Sequence, residues 1–231
     1  MKLPRPECKP PRDRRFVEFL ERATKVTLHA LCPEVAVRST DNLESLWTAQ
    51  EDWLGSSGLA APYWGIVWPG GAAVARYVLD HEALFHDRVV LDFGSGSGIC
   101  AIAAARCGAR KVYAADIDAY SRLAIAANAE LNGVRLEVLD RDVCGEKGWD
   151  VVLAGDMWYE RFLAERATPW LRSLAAAGTL VLMGDIGRAH FPRTGLIELA
   201  AFETPTPQSL EPEAVGIARV WQFRSSVPTA N

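Results

Sequence analysis

A run of apolar residues leads directly into a glycine-rich turn at residues 89–98, which read VVLDFGSGSG. The apolar part predicts a buried strand, and the Ala-rich segment that follows, residues 99–107, predicts a helix. Glycines in the turn allow backbone conformations with positive φ and let a ligand approach the main chain closely. The segment therefore predicts a strand–turn–helix unit with a ligand site at the turn.

Beyond Arg88 the sequence alternates between strand-like and helix-like segments. Apolar runs at 151–154 and 180–183 are typical of strands buried on both faces of a parallel sheet. The last two strand-like segments are joined by a short loop without a convincing helix, which predicts an antiparallel pair at the sheet edge. We therefore expect an α/β fold, a doubly wound, Rossmann-like seven-strand sheet with an antiparallel last strand. The predicted strands are 88–93, 111–116, 135–140, 149–154, 178–184, 197–203 and 217–224, and the predicted helices are 98–107, 119–132 and 160–175.

The first 60 residues predict a partly helical N-terminal extension, and residues 61–231 predict the main domain. Apolar residues at helical spacing predict a helix over residues 13–31. Asp41 is expected to cap a second helix that runs to Trp53, and a third is expected over residues 72–80. Residues 1–12 are rich in proline and charge, and we expect them to be disordered or loosely attached.

Composition limits the possible classes of function. A formal net charge of −4 argues against a general nucleic-acid-binding protein. No apolar run approaches the roughly 18 residues of a membrane-spanning helix. The N-terminus lacks the apolar core of a secretory signal, and five cysteines without a C-x-x-C pair are typical of reduced thiols. We expect a monomer of the bacterial cytoplasm, or of the mitochondrial matrix if the source is eukaryotic, without a metal, nucleic-acid or membrane partner.

The acid at position 92 narrows the choice of ligand at the glycine turn. Its carboxylate would repel a pyrophosphate but would hold the ammonium group of an amino-acid tail. The spacing also fails the dinucleotide fingerprint, because Ile99 stands at the position of the third glycine. Both features favour S-adenosylmethionine over NAD. The turn residues expected to bind this cofactor are Asp92, Gly94, Ser95, Gly96 and Gly98.

Acids also follow the next three predicted strands, and the carboxyl ends of such strands meet at one edge of the sheet. Asp116, with Ile117 beside it, is expected to bind the ribose of the cofactor. Asp142 is preferred over Asp140 as the acceptor for the adenine amine because it lies further past its strand. Asp140 remains the alternative acceptor. The fourth strand ends in Asp156.

With these features the chain resembles the class I S-adenosylmethionine-dependent methyltransferases. Residues 156–159, DMWY, match the D-x-x-Y/F motif of the family 16 protein lysine methyltransferases. Further segments are similar to the electron transfer flavoprotein β-subunit lysine methyltransferases, and the resemblance covers roughly residues 45–224. The glycine motif specifies only the superfamily, whereas the other segments are more specific. They are the aromatic loop at 62–71 (PYWGIVWPGG), 128–132, the G-D-x-G-R segment within 184–191, and 220–223.

The resemblance implies methyl transfer from S-adenosylmethionine, which leaves S-adenosylhomocysteine, to lysines of the electron transfer flavoprotein β subunit. We expect Asp156 to orient the incoming amine, and Tyr159 and Trp158 to line the lysine channel through cation–π contacts. Trp68 is expected to pack against the cofactor. We expect Asp185 and Arg188 to shape the docking of the partner protein. Tyr63 and Trp64 are expected to be buried and to anchor the aromatic loop.

The residues leave several alternatives open. Asp156 could cap a helix that begins near Glu160, Trp158 could pack in the core, and Asp185 could hold a turn. A rival function within the same fold is methylation of a ribosomal-protein lysine or of a small-molecule amine. A rival of a different class is a non-catalytic protein that binds S-adenosylmethionine or holds a partner.

Overall fold

The computed structural model describes residues 13–205 and 215–224. Within these residues, no helix is both long and apolar enough to cross a membrane. Two short 3₁₀ turns, Tyr63–Gly65 and Glu82–Leu84, accompany the longer elements. In chain order those elements are α1 (Asp13–Ala23), β1 (Lys25–His29), β2 (Cys32–Ser39), α2 (Leu43–Leu54), α3 (Pro69–Asp80), β3 (Val89–Phe93), α4 (Ile99–Arg106), β4 (Lys111–Ala115), α5 (Ala119–Leu131), β5 (Glu137–Leu139), β6 (Val151–Gly155), α6 (Arg161–Ala176), β7 (Leu180–Asp185), β8 (Leu196–Pro205) and β9 (Val215–Phe223).

The central sheet has seven strands in the order β5-β4-β3-β6-β7-β9-β8. The first five of these run parallel, and β9 is antiparallel to both β7 and β8. This arrangement confirms the predicted doubly wound sheet and its antiparallel last strand. Every predicted strand and helix beyond Arg88 is present, with ends that differ by two residues at most. Strand order reverses between β3 and β6, where ligands bind in open α/β sheets.

Both faces of the sheet are covered, which explains the apolar runs in the sequence. Side chains on successive residues of a strand point to opposite faces. Val90 packs in the buried cluster that contains α3 and α4, whereas Leu91 packs in the cluster that contains α6. Val152 and Leu153 divide between the two clusters in the same way. A parallel strand buried on both faces must be apolar at each position, as these strands are.

The predicted helix over residues 13–31 is wrong beyond Ala23. Residues 25–29 form β1, which pairs antiparallel with β2. The β-branched residues Val26 and Thr27 favour a strand over a helix. The hydroxyl groups of Thr27 and Ser39 lie 2.7 Å apart across the pair and add a side-chain hydrogen bond.

Two further helix boundaries differ from the prediction. The cap of α2 is Asn42 rather than Asp41, because the Asn42 side chain accepts a hydrogen bond from the Ser45 backbone N–H. Helix α3 begins at Pro69, three residues before the predicted start, since proline is well suited to the first turn of a helix. The expected disorder of residues 1–12 lies outside the described residues.

The N-terminal extension is packed onto the main domain through α5. Aromatic residues of α1 form one buried cluster with Trp64 and with Tyr120 of α5. Two asparagines of α5 hold the β1–β2 pair to the domain: Asn128 Oδ1 accepts from the Arg38 N–H at 2.9 Å, and Asn132 Oδ1 accepts from the Ala36 N–H at 3.0 Å. The division of the chain at residue 60 stays a prediction.

Candidate active site

The glycine turn lies at the carboxyl end of β3, at the reversal of strand order. Gly94, Gly96 and Gly98 all have positive φ, a region that other residues rarely adopt. The backbone N–H groups of Gly94 and Ser95 donate to the Ala115 carbonyl at the end of β4, which ties the turn to the neighbouring strand. A cleft opens beside the turn, and its walls bring together residues far apart in sequence. They include Trp68, Gly71, Asp92, Ile99, Cys100 and Gly155.

Asp92 is buried in this cleft, with only 2% of its surface exposed. Its Oδ2 accepts hydrogen bonds from the Ser95 hydroxyl at 2.6 Å and from the Ala101 N–H at 3.0 Å. Burial raises the pKa of the carboxyl to about 6, against the opposing effect of these two hydrogen bonds. The group is therefore ionised at neutral pH and places a negative charge at the wall of the cleft.

Asp116 provides a second carboxylate on the other side of the turn. Its Oδ2 accepts from the Gly96 N–H and its Oδ1 from the Asp118 N–H, each at 2.9 Å. Burial raises the pKa of Asp116 to about 6 as well. Ile117, the next residue, leaves 78% of its surface exposed. The predicted cofactor residues of β3 and β4 are thus joined by hydrogen bonds.

Asp142 lies on an exposed loop after β5. Its carboxylate pairs with Arg166 of α6 at 2.6 Å and accepts from the Cys144 N–H at 2.9 Å. These bonds attach the loop to α6. Asp140 is exposed on the same loop. The choice between Asp140 and Asp142 at adenine stays a prediction.

Asp156 follows β6 and connects three parts of the fold. Its Oδ2 accepts from the backbone N–H groups of Gly70 and Gly71 in the first turn of α3. Its Oδ1 pairs with the guanidinium of Arg188, at 2.9 Å from Nε and 2.8 Å from Nη2. Burial raises the pKa of Asp156, and the Arg188 cation opposes that shift. The helix capped by this side chain is therefore α3, not the helix near Glu160 that sequence reasoning offered as an alternative.

The backbone at Asp156 is strained, with φ at 54° in a residue other than glycine. Such a conformation costs on the order of 1 to 3 kcal/mol and persists where the surrounding structure enforces it. Here the Asp156 N–H donates to the Gly184 carbonyl at 2.9 Å, and the carboxylate is fixed on both oxygens. Residues in strained conformations concentrate at functional sites.

Glycines let α3 approach the ends of β6 and β7 closely. A Cβ at Gly184 would collide with the Gly70 carbonyl oxygen, and one at Gly155 would lie 2.5 Å from the Gly71 Cα. Sequence reasoning missed this role, although the pattern of glycines in the aromatic loop and after two strands was visible. The close approach brings the α3 amides within reach of Asp156.

Three aromatic side chains form a rim beside Asp156: Tyr63, Trp68 and Tyr159. The Tyr63 ring lies 5.7 Å from the Trp68 ring and 5.6 Å from the Tyr159 ring. The Trp68 indole N–H donates to the Tyr63 carbonyl at 2.9 Å. Tyr63 leaves 45% of its surface exposed and Tyr159 leaves 48%. The expectation of a buried Tyr63 was therefore wrong, whereas Trp64 is fully buried as expected.

Trp158 and Asp185 lie elsewhere than expected. Trp158 is fully buried in the core, where its indole N–H donates to the Thr168 hydroxyl at 3.0 Å and its ring packs against Phe191. It therefore does not line a channel. Asp185 is 1% exposed, and its Oδ1 accepts from the N–H groups of Gly187 and Arg188. It holds the turn that presents Arg188, and it forms no docking surface.

Comparison with known proteins first defines the class. A family model described as ribosomal protein L11 methyltransferase (PrmA) matches residues 77–179. Among solved structures, a Pyrococcus horikoshii protein assigned as an RNA methyltransferase has a TM-score of 0.52 at 16% identity, and the match covers 70% of this chain and 88% of that protein. The strand order and this likeness define the fold as that of the class I S-adenosylmethionine-dependent methyltransferases.

Curated relatives identify the family. The electron transfer flavoprotein β-subunit lysine methyltransferase of Mus musculus is 37% identical over 221 residues, which is 91% of this chain and 85% of the mouse protein. The Homo sapiens protein of that name is 38% identical over 185 residues, which is 78% of this chain and 69% of the human protein. The chain belongs to the electron transfer flavoprotein β-subunit lysine methyltransferase family, and it is a methyltransferase.

Proposed function

We propose that this enzyme transfers methyl groups from S-adenosylmethionine to lysine side chains of the electron transfer flavoprotein β subunit. The observation that carries the proposal is the position of Asp156 and the aromatic rim beside the glycine-turn cleft. Trp68 belongs to both, because it lines the cleft and its ring contacts Tyr63. A methyl donor in the cleft and an amine at the rim would therefore be neighbours. The names of the mouse and human relatives supply the acceptor.

The residues around the glycine turn fit S-adenosylmethionine. Asp92 would hold the ammonium of the methionine tail, and Asp116 would accept hydrogen bonds from the ribose hydroxyls. Both oxygens of Asp116 already accept backbone N–H groups, but each carboxylate oxygen can accept more than one hydrogen bond. Gly96 has open space where a Cβ would stand, which leaves its backbone accessible. When bound, this cofactor supplies a sulfonium methyl group.

The acceptor lysine must lose its proton before it reacts, because an ammonium has no lone pair. Desolvation between aromatic side chains lowers the pKa of a lysine. Asp156 would orient the amine through its carboxylate, and Tyr159 would line the approach. Positioning the nitrogen about 3 Å from the methyl carbon supplies much of the rate by proximity. None of these steps uses a covalent enzyme intermediate.

The acceptor protein would dock around the rim. Phe162 at the start of α6 leaves 59% of its surface exposed and would add an apolar contact for the acceptor. The proposed compartment is the bacterial cytoplasm, or the mitochondrial matrix in a eukaryote. The free thiols of the four described cysteines support a reducing compartment.

A labelled-methyl assay tests the proposal. Purified enzyme is incubated with radiolabelled S-adenosylmethionine and purified flavoprotein β subunit, with ribosomal protein L11 as the comparison acceptor. Label on β-subunit lysines, located by peptide mass spectrometry, is the expected result. Label on L11 alone would favour the ribosomal rival. Cofactor binding without transfer to either protein would contradict the proposed acceptor.

Replacing Asp156 by Asn tests its role in the reaction. The amide oxygen can still accept from the α3 amides, but the side chain loses the charge that would hold an ammonium. We expect methyl transfer to fall by at least about 100-fold, because precise placement of the amine is lost, and S-adenosylhomocysteine affinity to change little. Asp41→Asn is the matched control, since Asp41 is exposed and does not cap α2. Near-normal turnover of the Asp156 variant would remove its proposed role.

A further inference from the structure

The guanidinium of Arg188 lies at the place where the proposed mechanism needs an amine. It pairs with Asp156 Oδ1 through two nitrogens, and its central carbon lies 5.6 Å from the centre of the Trp68 ring. Only 18% of the Arg188 side chain is exposed. A carboxylate and an aromatic face around one cation form a favourable site for an alkylammonium as well as for a guanidinium. The two cations would therefore compete for one position.

Asp185 offers the Arg188 side chain a second partner. Its Oδ1 accepts the Arg188 backbone N–H at 2.7 Å, so both residues belong to the same turn. Its Oδ2 is buried and has no hydrogen-bond partner among the described residues. A buried carboxylate oxygen without a partner is costly. Asp185 lies three residues before Arg188 on the same turn, so its unpartnered oxygen would be a second anionic partner for a displaced guanidinium.

We propose that Arg188 occupies the acceptor-amine site of the free enzyme and that the incoming lysine displaces it towards Asp185. The inference rests on the proposed function, since it takes Asp156 as the group that receives the amine. Arg188 then acts as a specificity residue: it keeps the buried Asp156 charge compensated, and it admits only acceptors that bind tightly enough to displace it. Apparent acceptor affinity is reduced by the fraction of enzyme in which the site is open.

Steady-state kinetics of Arg188→Gln test the competition. With flavoprotein β subunit as acceptor, the variant should show a KM about five-fold lower than the wild type, with kcat unchanged, because the competing cation is gone. Arg14→Gln is the matched control, since Arg14 is an exposed cation of α1 that pairs with Glu18 and belongs to neither the rim nor the cleft. A lower kcat with unchanged KM would overturn the proposal, because it would mean that Arg188 serves to position Asp156.

Asp185→Asn should change acceptor KM in the opposite direction. The amide oxygen can still accept the hydrogen bonds from the Gly187 and Arg188 N–H groups. The displaced guanidinium, however, would have no anionic partner. We expect KM to rise about three-fold with kcat preserved. An unchanged KM would refute the movement towards Asp185.

A binding measurement separates this inference from the identity of the acceptor. Calorimetric titration of butylammonium into the enzyme with S-adenosylhomocysteine should give about five-fold tighter binding to Arg188→Gln than to wild type. Arg188→Lys, which keeps a cation and the fold, should bind as weakly as wild type. Equal affinity of all three proteins would overturn the proposal. If the wild type leaves the β subunit unmethylated while the butylammonium difference persists, the acceptor is wrong and the role of Arg188 stands.

Discussion

Asp92, the proposed partner of the cofactor's ammonium group, lowers the stability of the fold at neutral pH. Its folded pKa of about 6 is raised above the value of an exposed aspartate by burial. The folded state therefore favours the neutral carboxyl, so the contribution of Asp92 to stability is greatest below about pH 4 and is lost as the pH rises through about 6. Binding of an ammonium requires the ionised form. At neutral pH the carboxyl is ionised, and the burial of that charge lowers the free energy of unfolding.

Cofactor affinity should consequently fall as Asp92 and Asp116 become protonated. We expect the dissociation constant of S-adenosylhomocysteine to be constant above about pH 7 and to rise by up to about 100-fold for each unit that the pH drops below 6, as two required deprotonations predict. Isothermal titration calorimetry between pH 5 and 8 measures this. An affinity independent of pH in that range would show that neither carboxylate binds the cofactor.

Asp92→Asn should separate binding from stability at this residue. The amide oxygen can accept from Ser95 and Ala101, and no charge is buried. At pH 7.5 we expect at least a ten-fold loss of S-adenosylhomocysteine affinity and a Tm that rises by about 2 to 4 °C, the shift for about 1 kcal/mol in a chain of this size. Differential scanning fluorimetry and calorimetry check the two effects. A lower Tm together with unchanged affinity would contradict the assignment.

At the scale of the element, the site depends on the contact between α3 and the ends of β6 and β7. Asp156 can accept from the first turn of α3 only because glycines let the backbones approach. Its negative charge at the helix N-terminus also interacts favourably with the helix dipole. The same contact places Trp68, the residue before α3, above Arg188.

Gly184→Ala should therefore be strongly destabilising. The added Cβ would meet the Gly70 carbonyl, a backbone atom that can move only if the whole of α3 moves. We expect a loss of about 2 to 3 kcal/mol and a Tm lower by roughly 6 to 10 °C. Gly71→Ala is the control, because its Cβ would meet only the Ile99 side chain at 3.9 Å. Equal melting temperatures for the two variants would show that α3 does not pack as described.

At the scale of the whole molecule, the N-terminal extension packs against two residues close in sequence to the site, Trp64 and Tyr120. Phe16 of α1 lies 5.5 Å from the Trp64 ring and 5.9 Å from the Tyr120 ring. Trp64 is buried in the aromatic loop, and Tyr120 lies in the first turn of α5, four residues after Asp116. The extension and the methyltransferase fold therefore share one buried cluster.

Phe16→Ala tests whether the extension unfolds together with the domain. Removing a fully buried ring should cost about 3 to 5 kcal/mol, and urea unfolding followed by tryptophan fluorescence should still show one transition. Val17→Ala is the control on the same helix, since Val17 is 37% exposed. A separate early transition in the Phe16 variant would indicate an independent extension.

Local patterns in the sequence were enough to predict the sheet, its helices beyond Arg88 and the glycine turn. Each of these depends on residues close together in the chain: apolar runs, capping residues and glycines that adopt positive φ. The N-terminal helix was predicted too long because a short strand such as β1 is stabilised by its pairing with β2, which helical periodicity does not reveal.

The sequence by itself determined the fold class and the glycine turn, because apolar runs and glycines that adopt positive φ are local features of the chain. Only the tertiary structure decided what Asp156 does, since its partners come from residues 70–71 and from residue 188. It likewise placed Trp158 in the core and Tyr63 at the rim, because burial depends on which elements pack together. A sequence motif identifies candidate site residues, but contacts between distant segments of the chain determine which of those side chains lie in the site.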